Sequence, residues 1–133
     1  MLQVLLFTGM QPSIARKIIG AVMLILPVSG WAGEVEVVKV DVRCEATRIC
    51  DFDVTLKHAD EGWEHYANQW RLETPSGEVV GVRELLHPHV NEQPFTRSLT
   101  GVTVPEGVQT LIVCASDSVH GRSSQCPSVS LPL

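Results

Sequence analysis

Positive charge and aromatic side chains are both scarce in this chain. Ten Lys and Arg stand against fifteen Asp and Glu, and there are one Tyr, three Phe and three Trp in 133 residues. No basic stripe gathers the few cations, which argues against nucleic acid or an anionic membrane as partner. Neither a Gly-x-Ser-x-Gly elbow nor a glycine-rich phosphate cradle is present. Ser116, Asp117, Ser118 and His120 therefore supply the residue types of a hydrolase without its framework. No convincing helical period appears beyond residue 32, so a helical bundle is excluded.

What the first 32 residues do contain is a leader. Arg16 and Lys17 precede an apolar run over residues 18–28 (IIGAVMLILPV), and Gly30-Trp31-Ala32 gives a small-x-small cleavage pattern before Gly33. The run is too short to span a bilayer. Residues 1–9 add an apolar stretch ahead of the basic pair, which makes Met10 an alternative start. No lipobox cysteine follows the apolar run, so the expected product is soluble, periplasmic or secreted, and free of the membrane after cleavage. Residues 1–32 are read as a signal peptide and residues 33–133 as a single domain. The mature part carries 8 basic and 15 acidic side chains, a formal charge of −7 with histidines neutral.

Period-two alternation runs through that domain. Residues 34–43 (EVEVVKVDVR) alternate with a phase slip at Val37-Val38, the mark of a bulge. Phe52, Val54 and Leu56 alternate with polar neighbours. Tyr66, Asn68, Trp70 and Leu72 mark a third strand that ends at Thr74-Pro75-Ser76-Gly77. Residues 78–86, 95–102, 108–115 and 128–133 complete the set. About seven short strands in an exported domain of this size predict an immunoglobulin-like antiparallel β-sandwich, with Trp70 pinning the core.

Counting strand directions puts residues 59–64, 87–94 and 116–125 at one pole. Those segments and their edges hold all five histidines: His58, His65, His87, His89 and His120. The connections at the other pole, 45–49, 75–77 and 103–107, hold none. Imidazole is the commonest protein ligand of zinc, copper and iron, so the clustering predicts a metal site using three or four of the five. Pro88 restricts His87 to an extended conformation and stiffens the His-Pro-His unit. Asp60, Glu61, Glu64, Glu92 and Asp117 share these loops and can orient imidazole N–H groups. Trp63 and Tyr66 either wall the site or cap the core.

Four cysteines in an exported chain imply two disulfides. Cys50 begins an upward strand and Cys114 ends one, about 20 Å apart at roughly 3.3 Å per residue, so they do not pair. Cys44 with Cys50 would staple the lower hairpin, and Cys114 with Cys126 would close the upper loop that carries His120.

The order His58, His65-Tyr66, Trp70, Gly77, Cys114 and His120-Gly121 resembles the ferrous-iron domain of superoxide reductase (desulfoferrodoxin). The resemblance covers about half of the mature domain. It implies a sandwich fold, His58, His65 and His120 as equatorial iron ligands, Cys114 as the axial ligand, and an oxidoreductase activity. Five residues separate Cys114 from His120 where the family has two, and no histidine precedes His58 after the leader. Residues 85–99 (LLHPHVNEQPFTRSL) resemble blocks in uncharacterised secreted bacterial proteins instead. A Cys114–Cys126 disulfide and an axial thiolate exclude one another.

The expectation is an exported metal-binding module with one iron or copper ion, zinc remaining open on ligand type alone, serving metal handling or electron transfer. A redox or metal-delivery protein is the expected partner. A superoxide reductase-like enzyme and a metal-free interaction module are the alternatives, and metal content separates them.

Overall fold

Alternation of apolar and polar side chains decides the first sheet in the computed structural model, which describes residues 33–133; the expected leader lies outside them. Strand β1 spans Glu36–Cys44 and β2 Ile49–Lys57. Phe52, Val54 and Leu56 of β2 are fully buried, while Asp51, Asp53 and Thr55 turn the other way. β2 is central, pairing antiparallel with β1 and with β5 (Phe95–Thr103). The register of β1 slips between Val37 and Lys39, a bulge where the apolar phase changes.

The second sheet orders β4 (Val79–Glu84), β3 (Ala67–Glu73) and β6 (Thr110–Asp117). β7 (Gly121–Arg122) and β8 (Ser128–Ser130) both pair with the remaining side of β6. The two antiparallel sheets form an immunoglobulin-like sandwich, of eight strands rather than about seven. β7 is the addition. Gly121, at φ 70°, turns the chain back, and Ser123 N–H donates to Ala115 O at 2.9 Å to continue the pairing. β6 begins two residues later than the alternation suggested. The turn after Pro105 closes on Val108 N–H, 3.2 Å from Pro105 O, which delays the strand. β6 then continues through Ser116 to Asp117, carrying that carboxylate to the histidine pole.

Between the sheets, Trp70 and Leu72 of β3 and Leu111 and Val113 of β6 join Phe52, Val54 and Leu56 in one core cluster, all fully buried. Both expected disulfides are present. Cys44 and Cys50 face each other across the β1–β2 hairpin, Cα atoms 4.1 Å apart. Cys114 on β6 is bonded to Cys126 in the segment returning to β8, Cα atoms 4.7 Å apart. No cysteine of the described residues is free. Two such bonds fit an oxidising compartment outside the cytoplasm.

The chain crosses between sheets over residues 58–66 and 85–94, and turns from β6 to β7 over 118–120, all at one pole. All five histidines stand there.

Loop-closure entropy gives the Cys114–Cys126 bond about 3 kcal/mol and the shorter Cys44–Cys50 loop about 2 kcal/mol. Replacing Cys114 and Cys126 together by alanine is expected to lower the unfolding free energy by about that first amount. Urea unfolding monitored by Trp70 fluorescence measures it, and non-reducing peptide mapping should recover both linkages with no alkylatable thiol.

Candidate metal centre

His58 follows the last residue of β2, so its side chain continues the inward phase of Val54 and Leu56 and is buried. Asp60 lies two residues on, equally buried, and its Oδ1 accepts the His58 Nδ1–H at 2.5 Å. The same oxygen takes Ala67 N–H at 3.1 Å, and Oδ2 takes His89 N–H at 2.7 Å. One carboxylate thereby fixes the end of β2, the start of β3 and the loop from β4 to β5. It also fixes the tautomer. With the Nδ1 proton committed to Asp60, a neutral His58 presents a lone pair at Nε2, the arrangement of carboxylate–histidine–metal sites.

That lone pair faces three other bases. Gly33 O lies 3.0 Å from His58 Nε2 and 3.3 Å from His65 Nε2. Asp117 Oδ2 is 3.6 Å from His58 Nε2, and its Oδ1 is 3.5 Å from His65 Nε2. Ligand atoms of His58, His65 and Asp117 all lie within 4.8 Å of one another. Asp117, at the end of β6, has no exposed side-chain surface. It accepts the backbone N–H groups of Val119 at 2.8 Å and His120 at 2.5 Å. Burial works to raise the Asp117 pKa, but these two N–H groups and the His120 ring outweigh it, leaving the value below the ordinary carboxylate range. Among the described residues no Lys or Arg pairs with Asp60 or Asp117. Arg97 is engaged with Glu92 at 3.5 Å, and Arg122 with Glu73.

Of the five histidines, His58 and His65 meet at the cluster and His120 borders it. The His120 ring donates through Nδ1 to Asp117 at 3.1 Å, and its centroid is 5.0 Å from that of His65. Its side chain is 42% exposed against 13% for His65 and 1% for His58, so the cluster opens on the His120 side.

His87 and His89 form a separate pair, ring centroids 4.5 Å apart. His87 is exposed. His89 is buried face to face on Phe95 at 3.9 Å, and its Nε2 accepts from the Arg97 guanidinium at 2.7 Å. A stacked, arginine-bound ring is core packing. Glu64 and Glu92 are exposed, the latter on Arg97, and touch no imidazole; the orienting role expected of them falls to Asp60. Asp117 stands within the ligand group itself. Its signal was the Asp-Ser-Val-His spacing at a strand end, which lets an aspartate accept N–H groups two and three residues on. Trp63 is 67% exposed and packs edge-on against Tyr66 at 5.5 Å, neither walling the cluster nor capping the core.

Cys114 is buried in its disulfide, so no thiolate is available as an axial ligand. Comparison with known proteins carries the superoxide reductase resemblance no further. No family model matches the chain, and no solved structure matches it. A protein of Halomicrobium mukohataei named "Putative lipoprotein" is 44% identical over 92 residues, covering 69% of this chain and 45% of that protein. The chain thus spans less than half the length of this curated relative.

Burial, then Arg97, then His87 hold the His89 pKa below its ordinary value. As pH falls through about 6.5 the unfolded chain takes up a proton that folded His89 refuses, so this residue makes stability fall on the acid side and has no effect above. Urea unfolding between neutral and mildly acidic pH should show that decline, and His89→Gln should flatten it.

Proposed function

We propose that this domain is a periplasmic metal-binding module. It holds one transition-metal ion, iron or copper, between His58 Nε2, His65 Nε2 and the Asp117 carboxylate. The observation that carries the reading is the convergence of ligand atoms of His58, His65 and Asp117, all within 4.8 Å of one another. Asp117 is a buried carboxylate facing His58 Nε2, the His58 Nδ1 is bonded to the buried Asp60, and among the described residues no lysine or arginine pairs with either acid. Buried charge of this kind is paired or coordinates a metal. A ligand set of two imidazoles and one carboxylate suits ferrous iron with open positions, and zinc and copper compete for the same atoms.

The chemistry is binding and, for a redox metal, one-electron exchange. With Cys114 in a disulfide, the axial thiolate that superoxide reductase uses is missing, and the mature surface is acidic, so rapid consumption of the superoxide anion is not expected. Leu86, Val90, Trp63 and Val119 are exposed apolar side chains in the same loops as the histidines. They suit brief contact with a protein that delivers or receives the metal or its electron. The name of the Halomicrobium relative agrees with an exported setting.

Protein exported to the periplasm and purified without a histidine tag is expected to contain or take up one metal ion. Alanine at His58, His65 or Asp117 should abolish tight binding, and His87→Ala should leave it unchanged. Asp60→Asn should weaken binding by about 10 to 100-fold, as loss of an orienting carboxylate does. Metal analysis with competitive titration decides. Protein that neither retains nor takes up any metal would overturn the reading.

A further inference from the structure

The leader's cleavage pattern and the geometry of the cluster meet at one residue. Gly33 carbonyl oxygen sits between the two imidazoles, at 3.0 Å from His58 Nε2 and 3.3 Å from His65 Nε2. An imidazole N–H can donate to this oxygen, and both contacts have hydrogen-bond length. The same separations also suit coordination of one ion by all three atoms. Ligand atoms about 2.0 to 2.1 Å from one ion stand roughly 2.9 to 3.4 Å apart at octahedral or tetrahedral angles, and both separations fall in that range.

Gly33 also lies close against the His120 ring. A Cβ at position 33 would lie 2.3 Å from His120 Cε1 and 2.7 Å from its Nε2. The backbone of Gly33 is therefore pressed against the third imidazole, in the space that a side chain would fill. Ser123 Oγ–H donates to Val35 O at 2.7 Å, and Glu34 accepts from Ser124, so the segment is tied down immediately after Gly33. A groove of about 660 Å³, walled in part by Glu34, Val35 and His58, runs along it.

We propose that the processed amino terminus is itself a metal ligand, with the Gly33 α-amine and carbonyl oxygen chelating the ion held by His58, His65 and Asp117. Cleavage supplies the amine. Water hydrolyses the Ala32–Gly33 peptide bond, the new carboxylate leaves on the leader, and the Gly33 amine gives up its proton to solvent as it coordinates. Nitrogen and carbonyl oxygen of one residue close a five-membered ring with the ion. Before cleavage that nitrogen is an amide with no lone pair to offer, so tight binding is confined to the exported, processed protein. The inference rests on the metal-binding reading above and adds to it a ligand and a dependence on processing.

The test uses the full chain, exported with its own leader, with the terminus of the product read by mass spectrometry. Cu(II) is the probe, because its electron paramagnetic resonance spectrum registers directly bound nitrogens. Three proteins are compared: the processed chain, the same protein acetylated at its α-amine, and a form with two extra residues between Ala32 and Gly33. The processed chain is expected to start at Gly33 and to bind Cu(II) at least 10-fold more tightly than either blocked form. ¹⁵N-glycine labelling should change its nitrogen hyperfine pattern. A terminus other than Gly33 would overturn the proposal, as would equal affinities and unchanged spectra in the three forms. If those equal affinities are lost in His58→Ala, the metal site stands and only the role of Gly33 falls. If no form binds Cu(II) or any other metal, both fall together.

Discussion

The buried Asp60 carboxylate is the interaction on which the histidine pole depends. It reaches three chain segments that are far apart in sequence: His58 at the end of β2, Ala67 at the head of β3 and His89 in the loop before β5. The first two belong to opposite sheets, so the bond set closes the end of the sandwich as well as orienting a ring. A carboxylate this buried is tolerable because each contact donates an N–H to it, and such charge-assisted bonds are about twice as strong as neutral ones. Gln93 extends the brace, accepting His58 N–H at 3.0 Å and donating to His89 O at 2.9 Å.

Closing the pole in this way creates an electrostatic problem beside it. Asp117, fully buried at the end of β6, brings a second negative charge to the same end. It is held there by the N–H groups of its own turn rather than by a cation. A domain with a formal charge of −7 has few cations to spare, and the two arginines of this region are taken by Glu92 and Glu73. Imidazole rings are what remain to balance the charge, and in the function proposed above a metal ion would share that task. The groups that shut the sandwich also turn His58 Nε2 toward His65 and Asp117, so the proposed site and the closure of the pole share the same atoms.

Much of the sandwich was legible because its strands are half-buried and antiparallel. Phe52, Val54 and Leu56 had to share a face, the slip at Val37-Val38 had to be absorbed by a bulge, and strand direction alone sent all five histidines to one pole. The same counting separated Cys50 from Cys114, and the hairpin and the upper loop pointed to the two observed disulfides. Side-chain selection within the pole was not legible. His89 looks like a ligand in sequence, yet Phe95 offers its ring a flat apolar partner and Arg97 a proton, and packing wins. Asp117 reads as a solvated loop acid until β6 is seen to continue through it. Gly33 carries no side chain to attract notice, and its carbonyl enters the site only through the three-dimensional return of the segment from 123 to 126.

Anomalous diffraction from crystals of the exported, processed protein, recorded at the absorption edge of the metal it carries, tests the central claim most directly. A single anomalous peak within bonding distance of His58 Nε2, His65 Nε2 and the Asp117 carboxylate is the result this account requires. Density showing those atoms linked to Gly33 O by hydrogen bonds alone, with no anomalous peak after incubation with iron, copper or zinc, would contradict it. The pole would then be a structural polar network and nothing more.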